Sequence, residues 1–265
     1  MTFGPIPKTW GTSVEGANQT YLLGSYDYHL PVTGVQTWIV DPPYNIGYNY
    51  KSQFKDRMTP QEYSDLHYDF LELAYDSTNN GGSFFLINYP EIIAQYFQTI
   101  LDTRWTFHQW VTWTYPSNVG VSRTRFTRAS RAVVWLTKGK PSVNIEAISQ
   151  PYKNPTDKRV KALLESGKPG TNLYDWWEVN LCKNVSRDKK AYVNQIPFEL
   201  LRRLILTTTK PDQLVADLMC GSGSAVLAAA KLGRRGWGCD LNEQLIPIWQ
   251  DNVNEWSLLS VGESA

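Results

Sequence analysis

The chain of 265 residues has 42% hydrophobic side chains and a formal net charge of +1, which suits one compact domain and does not suit a disordered chain. Its first residues lack the order of a signal peptide, and no apolar run approaches the ~20 residues that a membrane span needs. These two observations predict a cytoplasmic protein without a membrane anchor. The three cysteines, Cys182, Cys220 and Cys239, have no metal-ligand spacing, so we expect buried free thiols rather than a zinc site or a disulfide.

Hydrophobic periodicity predicts strands that alternate with helices, as in an α/β protein. In chain order these are strands at 21–25 and 38–40, a helix at 60–74, a strand at 83–87, a helix at 90–101, strands at 107–114 and 132–137, helices at 156–164 and 198–207, a strand at 214–217, a helix at 225–232 and a strand at 236–239. Thr59, Pro60 and Glu62 have the spacing of a capping box with proline at the first helical position. Residues 140–188 are rich in Pro, Lys, Asn and Gly, which indicates an insertion outside the sheet.

Basic residues are concentrated in the middle of the chain. Residues 104–210 contain 19 Lys and Arg against 7 Asp and Glu, whereas the flanking segments are acidic. This imbalance predicts a surface for a polyanion such as DNA, with basic side chains for phosphates and aromatic rings for bases. A solvated face with scattered charges is the alternative. The candidate DNA-binding residues are Arg123, Arg125, Arg128, Arg131, Lys138, Lys140 and Arg187.

The first candidate site is the turn Asp41-Pro42-Pro43-Tyr44, directly after the predicted strand at 38–40. Two prolines end that strand, since neither can donate to a ladder. Ligands of open α/β sheets bind where strands reach their carboxyl ends. Here one carboxylate and freed carbonyls could accept an amino group, and the Tyr44 ring could face a flat base. An ordinary Pro-Pro turn is the alternative.

The second candidate site is the turn Gly221-Ser222-Gly223, between a strand ending at Asp217 and a helix beginning near Ser224. Glycines let the backbone approach a ligand closely, and amides at a helix start can hold an anionic group. Asp240 follows the next strand, where an acidic residue suits a ribose diol. It could equally cap the following helix, and a nicotinamide dinucleotide would fit the same arrangement.

Taken together, the two turns resemble the beta class of amino-methylating DNA methyltransferases, in which the catalytic tetrapeptide precedes the target-recognition region and the cofactor loop comes last. Further landmarks similar to that class are Asp175-Trp176-Trp177, Asn184-Val185-Ser186-Arg187, Gln195-x-Pro197 and Leu232-Gly233-Arg234-Arg235. The resemblance implies S-adenosylmethionine as cofactor, no metal, and DNA as substrate in a prokaryotic or phage-infected cell. It also allows a homodimer and a cognate restriction endonuclease as partners.

The resemblance implies a role for each matching residue. Asp41 and the Pro42 carbonyl would accept the N–H groups of the target amine, and Tyr44 would stack on an extruded base. Asp217 would orient the glycine turn, Ser224 would cap the next helix, and Asp240 would hold the ribose. The implied catalytic residues are Asp41, Pro42, Pro43 and Tyr44; the implied cofactor-binding residues are Gln195, Pro197, Asp217, Met219, Cys220, Gly221, Ser222, Gly223, Ser224, Asp240 and Asn242.

Three departures from the family pattern stand out. Ile196 occupies a usual Lys position, and Leu218-Met219 follow Asp217 where Pro-Phe is usual. Ser130-Arg131 replaces a common His-Glu pair, which bears on target recognition. The chemistry-bearing groups are all retained, which disfavours an inactive DNA-binding relative.

The resemblance also implies the fold: a circularly permuted, Rossmann-like, mostly parallel sheet of seven strands with helices on both faces. Residues 1–139 would be the catalytic half, 140–190 the target-recognition region and 191–265 the cofactor-binding half. Asp41 and Gly221 should then lie side by side. Because Asp rather than Ser begins the tetrapeptide, the expected target is the N6 amine of adenine; the alternatives are N4 of cytosine, RNA or a protein amide.

Overall fold

The computed structural model describes residues 11–24, 30–50, 56–116, 123–182 and 195–262, with side chains described as far as residue 255. Two predictions lie outside these ranges. They are the DNA contact of Arg187 and the landmark at 184–187.

One sheet contains all nine strands of the described residues. In chain order they are β1 (Ser13–Gly16), β2 (Gln19–Leu23), β3 (Val35–Val40), β4 (Thr78–Asn88), β5 (Thr106–Thr114), β6 (Ser130–Thr137), β7 (Trp176–Glu178), β8 (Leu214–Asp217) and β9 (Arg235–Asp240). The prediction of seven strands is wrong in number, since it omits β1 and β7. With four and three residues, these strands are too short for periodicity to reveal them.

The strand order is β1-β2-β9-β8-β3-β4-β6-β5-β7. From β2 to β4 every neighbouring pair is parallel, whereas β6 runs antiparallel to both β4 and β5. The predicted mixed, mostly parallel sheet is therefore confirmed. Its parallel strands end together at one side, which we call the carboxyl end of the sheet; this side is marked by Val40, Asn88, Thr114, Asp217 and Asp240.

Helices cover both faces of the sheet, as predicted. The described α-helices are α1 (Pro60–Ser77), α2 (Pro90–Leu101), α3 (Lys158–Glu165), α4 (Phe198–Thr208), α5 (Ser224–Lys231) and α6 (Ile246–Gly262), and short 3₁₀ helices form at Ile145–Ile148 and Glu243–Leu245. The predicted capping box starts α1, because Thr59 Oγ1 accepts from Glu62 N and the Glu62 carboxylate accepts from Thr59 N.

The apolar residues of β3 fill both layers of the core. Trp38 and Val40 pack with α1 and α2 on one face, and Ile39 packs with α4 and α5 on the other. Every residue of β3 is buried, as is typical of a strand covered on both faces. This packing anchors the strand from which the Asp41 turn emerges.

The predicted insertion is partly built into the sheet. Trp176–Glu178 form β7, which pairs in parallel with β5, and Trp113 Nε1 donates to Val179 O at 2.7 Å. Trp177 is buried, whereas Trp176 is 54% exposed, because side chains alternate across a strand. The expectation that all of 140–188 lies outside the sheet is therefore wrong. Among the helices that the structure describes, none is long and apolar enough to cross a bilayer.

Candidate active site

The two turns singled out in the sequence follow neighbouring strands. β3 pairs in parallel with β8, with Trp38 opposite Ala216, so Asp41 and Asp217 both emerge at the carboxyl end of the sheet. β9 flanks β8 on its other side and ends at Asp240. The predicted convergence is confirmed, although the chain supplies one turn early and the other late.

Asp41 lies in a compact cluster at the end of β3. The Tyr44 hydroxyl donates to Asp41 Oδ1, and Arg131 Nη1 lies 3.5 Å from Asp41 Oδ2. The Tyr44 ring packs edge-on against Tyr89, with 4.7 Å between the ring centroids. The carboxylate thus has a donor near each oxygen, and an aromatic ring lies beside it.

Side chains of α1 and β4 hold the backbone of this turn. Tyr63 of α1 donates its hydroxyl to Pro43 O at 2.7 Å, and Asn88 Nδ2 donates to the Tyr63 oxygen at 3.0 Å. The Pro43 carbonyl therefore accepts a hydrogen bond from within the protein. The acceptor predicted for the target amine is the preceding carbonyl, that of Pro42.

Asp56 fixes the turn from the other side, a role without a spacing signal in the sequence. It is 2% exposed, and its carboxylate accepts from the amides of Asn45, Ile46 and Tyr48 at 2.7, 3.1 and 2.9 Å. Asn45 has a φ of 56°, so the chain turns sharply here. Three charge-assisted hydrogen bonds make Asp56 a positioning residue for the segment after Tyr44.

Arg131 lies inside the cluster rather than on a DNA-facing surface. It is 6% exposed, and its guanidinium lies 5.3, 5.7 and 5.1 Å from the ring centroids of Tyr44, Tyr89 and Trp113. The prediction that it contacts phosphate is wrong, because its position at the start of β6 buries it beside Asp41. A basic residue in a basic run gives no sign of which face of a strand it occupies.

Opposing effects set the pKa of Asp41. Burial raises this pKa above its ordinary value, whereas the charge of Arg131 and the hydroxyl of Tyr44 lower it. Since the ionised carboxylate only accepts hydrogen bonds, whereas the protonated form donates from one oxygen, Arg131 favours the acceptor form of Asp41.

Three side chains hold the glycine turn after β8. Asp240 Oδ2 accepts from Gly221 N at 2.9 Å, and Trp249 Nε1 donates to Gly221 O at 2.9 Å. Asn252 Nδ2 donates to Ser222 O at 2.8 Å. Trp249 and Asn252 belong to α6. Their roles are not identifiable from the sequence, because they depend on how α6 packs against the glycine turn.

Gly223 is required by its conformation and its surroundings. Its φ is 77°, and a Cβ placed there would lie 2.4 Å from the Tyr21 ring. Any other residue would be strained and would clash. The predicted close-packed glycine turn is therefore found at this position.

Two predicted roles belong to other residues. Asp217 accepts from Met219 N at 3.0 Å, and Asp240 rather than Asp217 binds the glycine turn. Ser224 does not cap α5, since Gly223 is the N-cap and Ser224 Oγ lies 3.0 Å from Ser222 Oγ. Among the other predicted cofactor residues, Met219 is partly buried, and Cys220 is buried.

Asp240 accepts from Asn242 N at 3.0 Å as well as from Gly221. Asn242 itself caps the following 3₁₀ helix, with its side chain accepting from Gln244 N. The helix-capping alternative for Asp240 is therefore not what the structure contains. A carboxylate has about four lone-pair sites, so two amide bonds leave room for ligand hydroxyls.

Three carboxylates lie at the ends of β3, β8 and β9, of which Asp217 is buried and Asp41 and Asp240 are partly buried. Burial raises the pKa of Asp41, Asp217 and Asp240, and the first and last of these raise that of Asp217 further by charge repulsion. A cationic group bound between them would relieve this repulsion. The arrangement therefore suits a positively charged ligand.

The start of α4 lies at the same end of the sheet, because the chain enters β8 soon after the helix ends. Pro197 is buried and is the N-cap of α4, and Gln195 is partly exposed just before it. Ile196, where the family pattern has Lys, is 6% exposed in the core. It supplies packing rather than charge.

Some of the predicted DNA-binding residues lie near this site. Arg123 and Arg125 are exposed in the segment between β5 and β6, whose ends pair at the carboxyl end of the sheet. Arg128 forms an ion pair with Glu91 and lies 4.0 Å from the Tyr89 ring centroid. Arg128 therefore contacts the cluster that contains Asp41 through Tyr89, whereas Arg123 and Arg125 lie in the segment that follows β5 at the same end of the sheet.

Lys138 and Lys140 lie at the opposite end of the sheet, because antiparallel β6 carries the chain away from Asp41. Lys138 Nζ donates to the carbonyls of Tyr75 and Thr78 at 2.7 and 2.8 Å. The predicted DNA contacts of Lys138 and Lys140 would therefore lie away from the Asp41 site. A run of basic residues does not reveal that a strand separates its members.

Cys220 and Cys239 are buried free thiols, as predicted, and Cys182 is partly exposed. Within the part of the chain that the structure describes, no group of three or more His, Cys, Asp or Glu residues is arranged to hold a metal.

A family model described as DNA methylase, N6_N4_Mtase, matches residues 35–251, a range that contains both turns. The chain belongs to this DNA methylase family. The resemblance to amino-methylating DNA methyltransferases is thereby confirmed. In this DNA methylase, the matched range includes every candidate catalytic and cofactor residue.

Individual relatives and solved structures are also similar to this chain. The Type II methyltransferase M1.MboII of Moraxella bovis is 25% identical in an alignment 248 residues long, which covers 86% of this chain and 94% of the relative. The fold is similar to that of the PvuII DNA methyltransferase, described as cytosine-N4-specific, with a TM-score of 0.67, 15% identity and coverage of 93% of this chain and 97% of that one. A complex of M1.HpyAVI with SAM gives a TM-score of 0.58 at 14% identity, covering 84% and 90%.

Proposed function

We propose that this DNA methylase transfers a methyl group from S-adenosylmethionine to the N6 amine of an adenine that has left the DNA duplex. The observation that carries the proposal is the convergence of the Asp41 turn and the glycine turn on adjacent parallel strands. One turn presents acceptors for an amine, and the other presents a close-packed backbone with a ribose-binding acid. Adenine is favoured over cytosine because Asp begins the tetrapeptide.

On the base side, Asp41 and the Pro42 carbonyl accept the two N–H groups of the amine. An adenine amine is a poor nucleophile, because its lone pair is delocalised into the ring. Two acceptors favour a pyramidal nitrogen with a lone pair free to react. The Asp41 charge also stabilises the positive charge that develops on this nitrogen, and holding both reactants in line contributes further.

On the cofactor side, the residues present fit S-adenosylmethionine. Asp240 would accept the ribose hydroxyls, and the Gly221–Gly223 backbone would lie against the methionine part. The three converging carboxylates suit the sulfonium charge. When bound, the cofactor supplies the methyl group. The SAM complex of M1.HpyAVI supports this choice over a nicotinamide dinucleotide, which explains neither the Asp41 turn nor the basic segment.

DNA from cells that express the protein tests the proposed function directly. We expect digested DNA to contain N6-methyladenine by mass spectrometry, and sequencing of modified bases to give its position and context. N4-methylcytosine would support the alternative target, since the same acceptors suit that amine. Absence of any methylated base, with folded protein in the cells, would favour the inactive DNA-binding relative.

Arg131→Met is expected to move the acidic limb of the pH–activity profile to higher pH. Removing the guanidinium leaves burial opposed only by the Tyr44 hydroxyl, so the pKa of Asp41 rises and its carboxylate becomes protonated at a higher pH. The measurement is kcat/KM between about pH 5 and 9 for both proteins. An acidic limb that stays in place would show that Arg131 does not act on the charge of Asp41.

The double variant Arg123→Ala/Arg125→Ala is expected to weaken DNA binding by about tenfold at low salt and to reduce the slope of log K against log salt by about 1.8, as expected for two lost phosphate contacts. Fluorescence anisotropy over a salt series measures both quantities. The matched control is Lys140→Ala/Arg235→Ala, since both of these exposed residues lie at the opposite end of the sheet. Equal losses in the two double variants would place the DNA elsewhere.

We propose that 1–139 is the catalytic half, 140–190 the target-recognition region and 191–265 the cofactor-binding half. M1.MboII is a Type II methyltransferase, which supports a cognate restriction endonuclease as a partner of this protein. The homodimer that the resemblance allows stays a prediction, which analytical ultracentrifugation would test.

A further inference from the structure

Arg131 lies at the proposed reaction site, yet the methyl transfer described above does not use its N–H groups. Its Nη1 is 3.5 Å from Asp41 Oδ2, and its Nε is buried without a hydrogen-bond partner. A buried N–H of a charged group that has no acceptor is costly, and native proteins contain few. The missing acceptor can be supplied by a ligand.

The rings around Arg131 place it beside the proposed base. Tyr44, Tyr89 and Trp113 enclose the guanidinium at centroid distances of 5.3, 5.7 and 5.1 Å. Tyr44 is the ring proposed to stack on the base, and its hydroxyl donates to Asp41. A base against Tyr44 with its amine at Asp41 would therefore have its neighbouring ring atoms near Arg131.

Asp41 and Arg131 form an acceptor and a donor side by side. Adenine and cytosine carry the complementary pair on their Watson–Crick edges, an amine next to a ring nitrogen without a proton. Guanine carries an N–H next to its amine, which would face the guanidinium as a second donor, and thymine has no amine. Enzymes that extrude a base commonly read this edge by hydrogen bonds.

We propose, on the basis of the methyl transfer proposed above, that Arg131 reads the target base by donating to the ring nitrogen beside the reactive amine, N1 of adenine. Arg131 is then a specificity-determining residue that admits adenine-like edges and rejects guanine.

The test pairs one protein group with one substrate atom. A duplex that contains the methylated site is compared with the same duplex carrying 1-deazaadenine, in which a C–H replaces N1. We expect wild-type kcat/KM to fall by about 10- to 100-fold, as for loss of a hydrogen bond to a charged group. Arg131→Met should have a low kcat/KM on the adenine duplex. Replacing adenine with 1-deazaadenine should then lower its kcat/KM by less than about twofold. If the modified base is cytosine, 3-deazacytosine takes the place of 1-deazaadenine.

The ratio of the two losses cancels the altered reactivity of the analogue and any general structural damage. Arg235→Met is the matched control, since Arg235 is exposed at the start of β9, at the opposite end of the sheet from Asp41. It should show the wild-type loss. Arg131→Lys should retain part of the loss, because Lys keeps the charge and can donate.

Equal losses in wild type and Arg131→Met would overturn the assignment. So would a wild-type loss below about twofold, which needs no variant and decides the case if Arg131→Met does not fold. If DNA is methylated but the loss on the deaza base does not depend on Arg131, only the role of Arg131 in reading the base is overturned. Absence of any methylated base would remove the proposed function as well.

Discussion

Asp41→Asn is expected to lower kcat for methyl transfer by about 10²- to 10³-fold, the range found when a group that stabilises transition-state charge is removed. The substitution keeps the shape of the side chain but replaces one acceptor oxygen with an NH₂ group. That group would oppose the amine or Arg131 Nη1, which lies 3.5 Å from Asp41 Oδ2 in the wild type. It also removes the negative charge that stabilises the developing charge on the amine.

Cofactor affinity should be unchanged in Asp41→Asn, since the glycine turn is held by Asp240, Trp249 and Asn252. Single-turnover methylation measures the chemical step. Isothermal titration with S-adenosylmethionine measures cofactor affinity, and an unchanged affinity shows that the cofactor site of the variant is folded. Asp102→Asn is the matched control, because Asp102 is exposed at the end of α2. Activity of Asp41→Asn within twofold of wild type would remove Asp41 from the catalytic role.

Asp240→Ala is expected to raise the Kd for S-adenosylmethionine by about 100-fold or more, with no DNA-binding defect. Two hydrogen bonds from ribose hydroxyls to a carboxylate contribute about 1.5–3 kcal/mol each. The substitution also removes the acceptor for Gly221 N, so the glycine turn loses one of its three side-chain anchors. Both effects weaken the same site.

Binding isotherms for the cofactor and for a DNA duplex separate these effects. Asp251→Ala is the matched control, since Asp251 is exposed on α6, and Asp240→Asn should lose less because it keeps one acceptor oxygen. Unchanged cofactor affinity in Asp240→Ala would exclude the ribose role. Tight binding of NAD instead of S-adenosylmethionine by the wild type would favour the dinucleotide alternative.

Local signals in the sequence predicted most of the elements and the two turns. The capping box at Thr59, the end of β3 at the two prolines, and the glycine at 223 each depend on a few adjacent residues. Such features are set by backbone chemistry within one turn of chain, so the sequence is sufficient for them. β1 and β7 were missed because three or four residues form a strand only when a neighbour offers a ladder.

By itself, the sequence determined the α/β class, the order of the two turns and the residue types that carry chemistry, because these depend on local pattern. Only the tertiary structure decided which residues meet. It placed Arg131 beside Asp41 instead of on the surface, moved Lys138 to the far end of the sheet, and brought Asp56 and Trp249 to the turns. Strand direction and helix packing set those positions, and the spacing of residues along one segment determines neither of them.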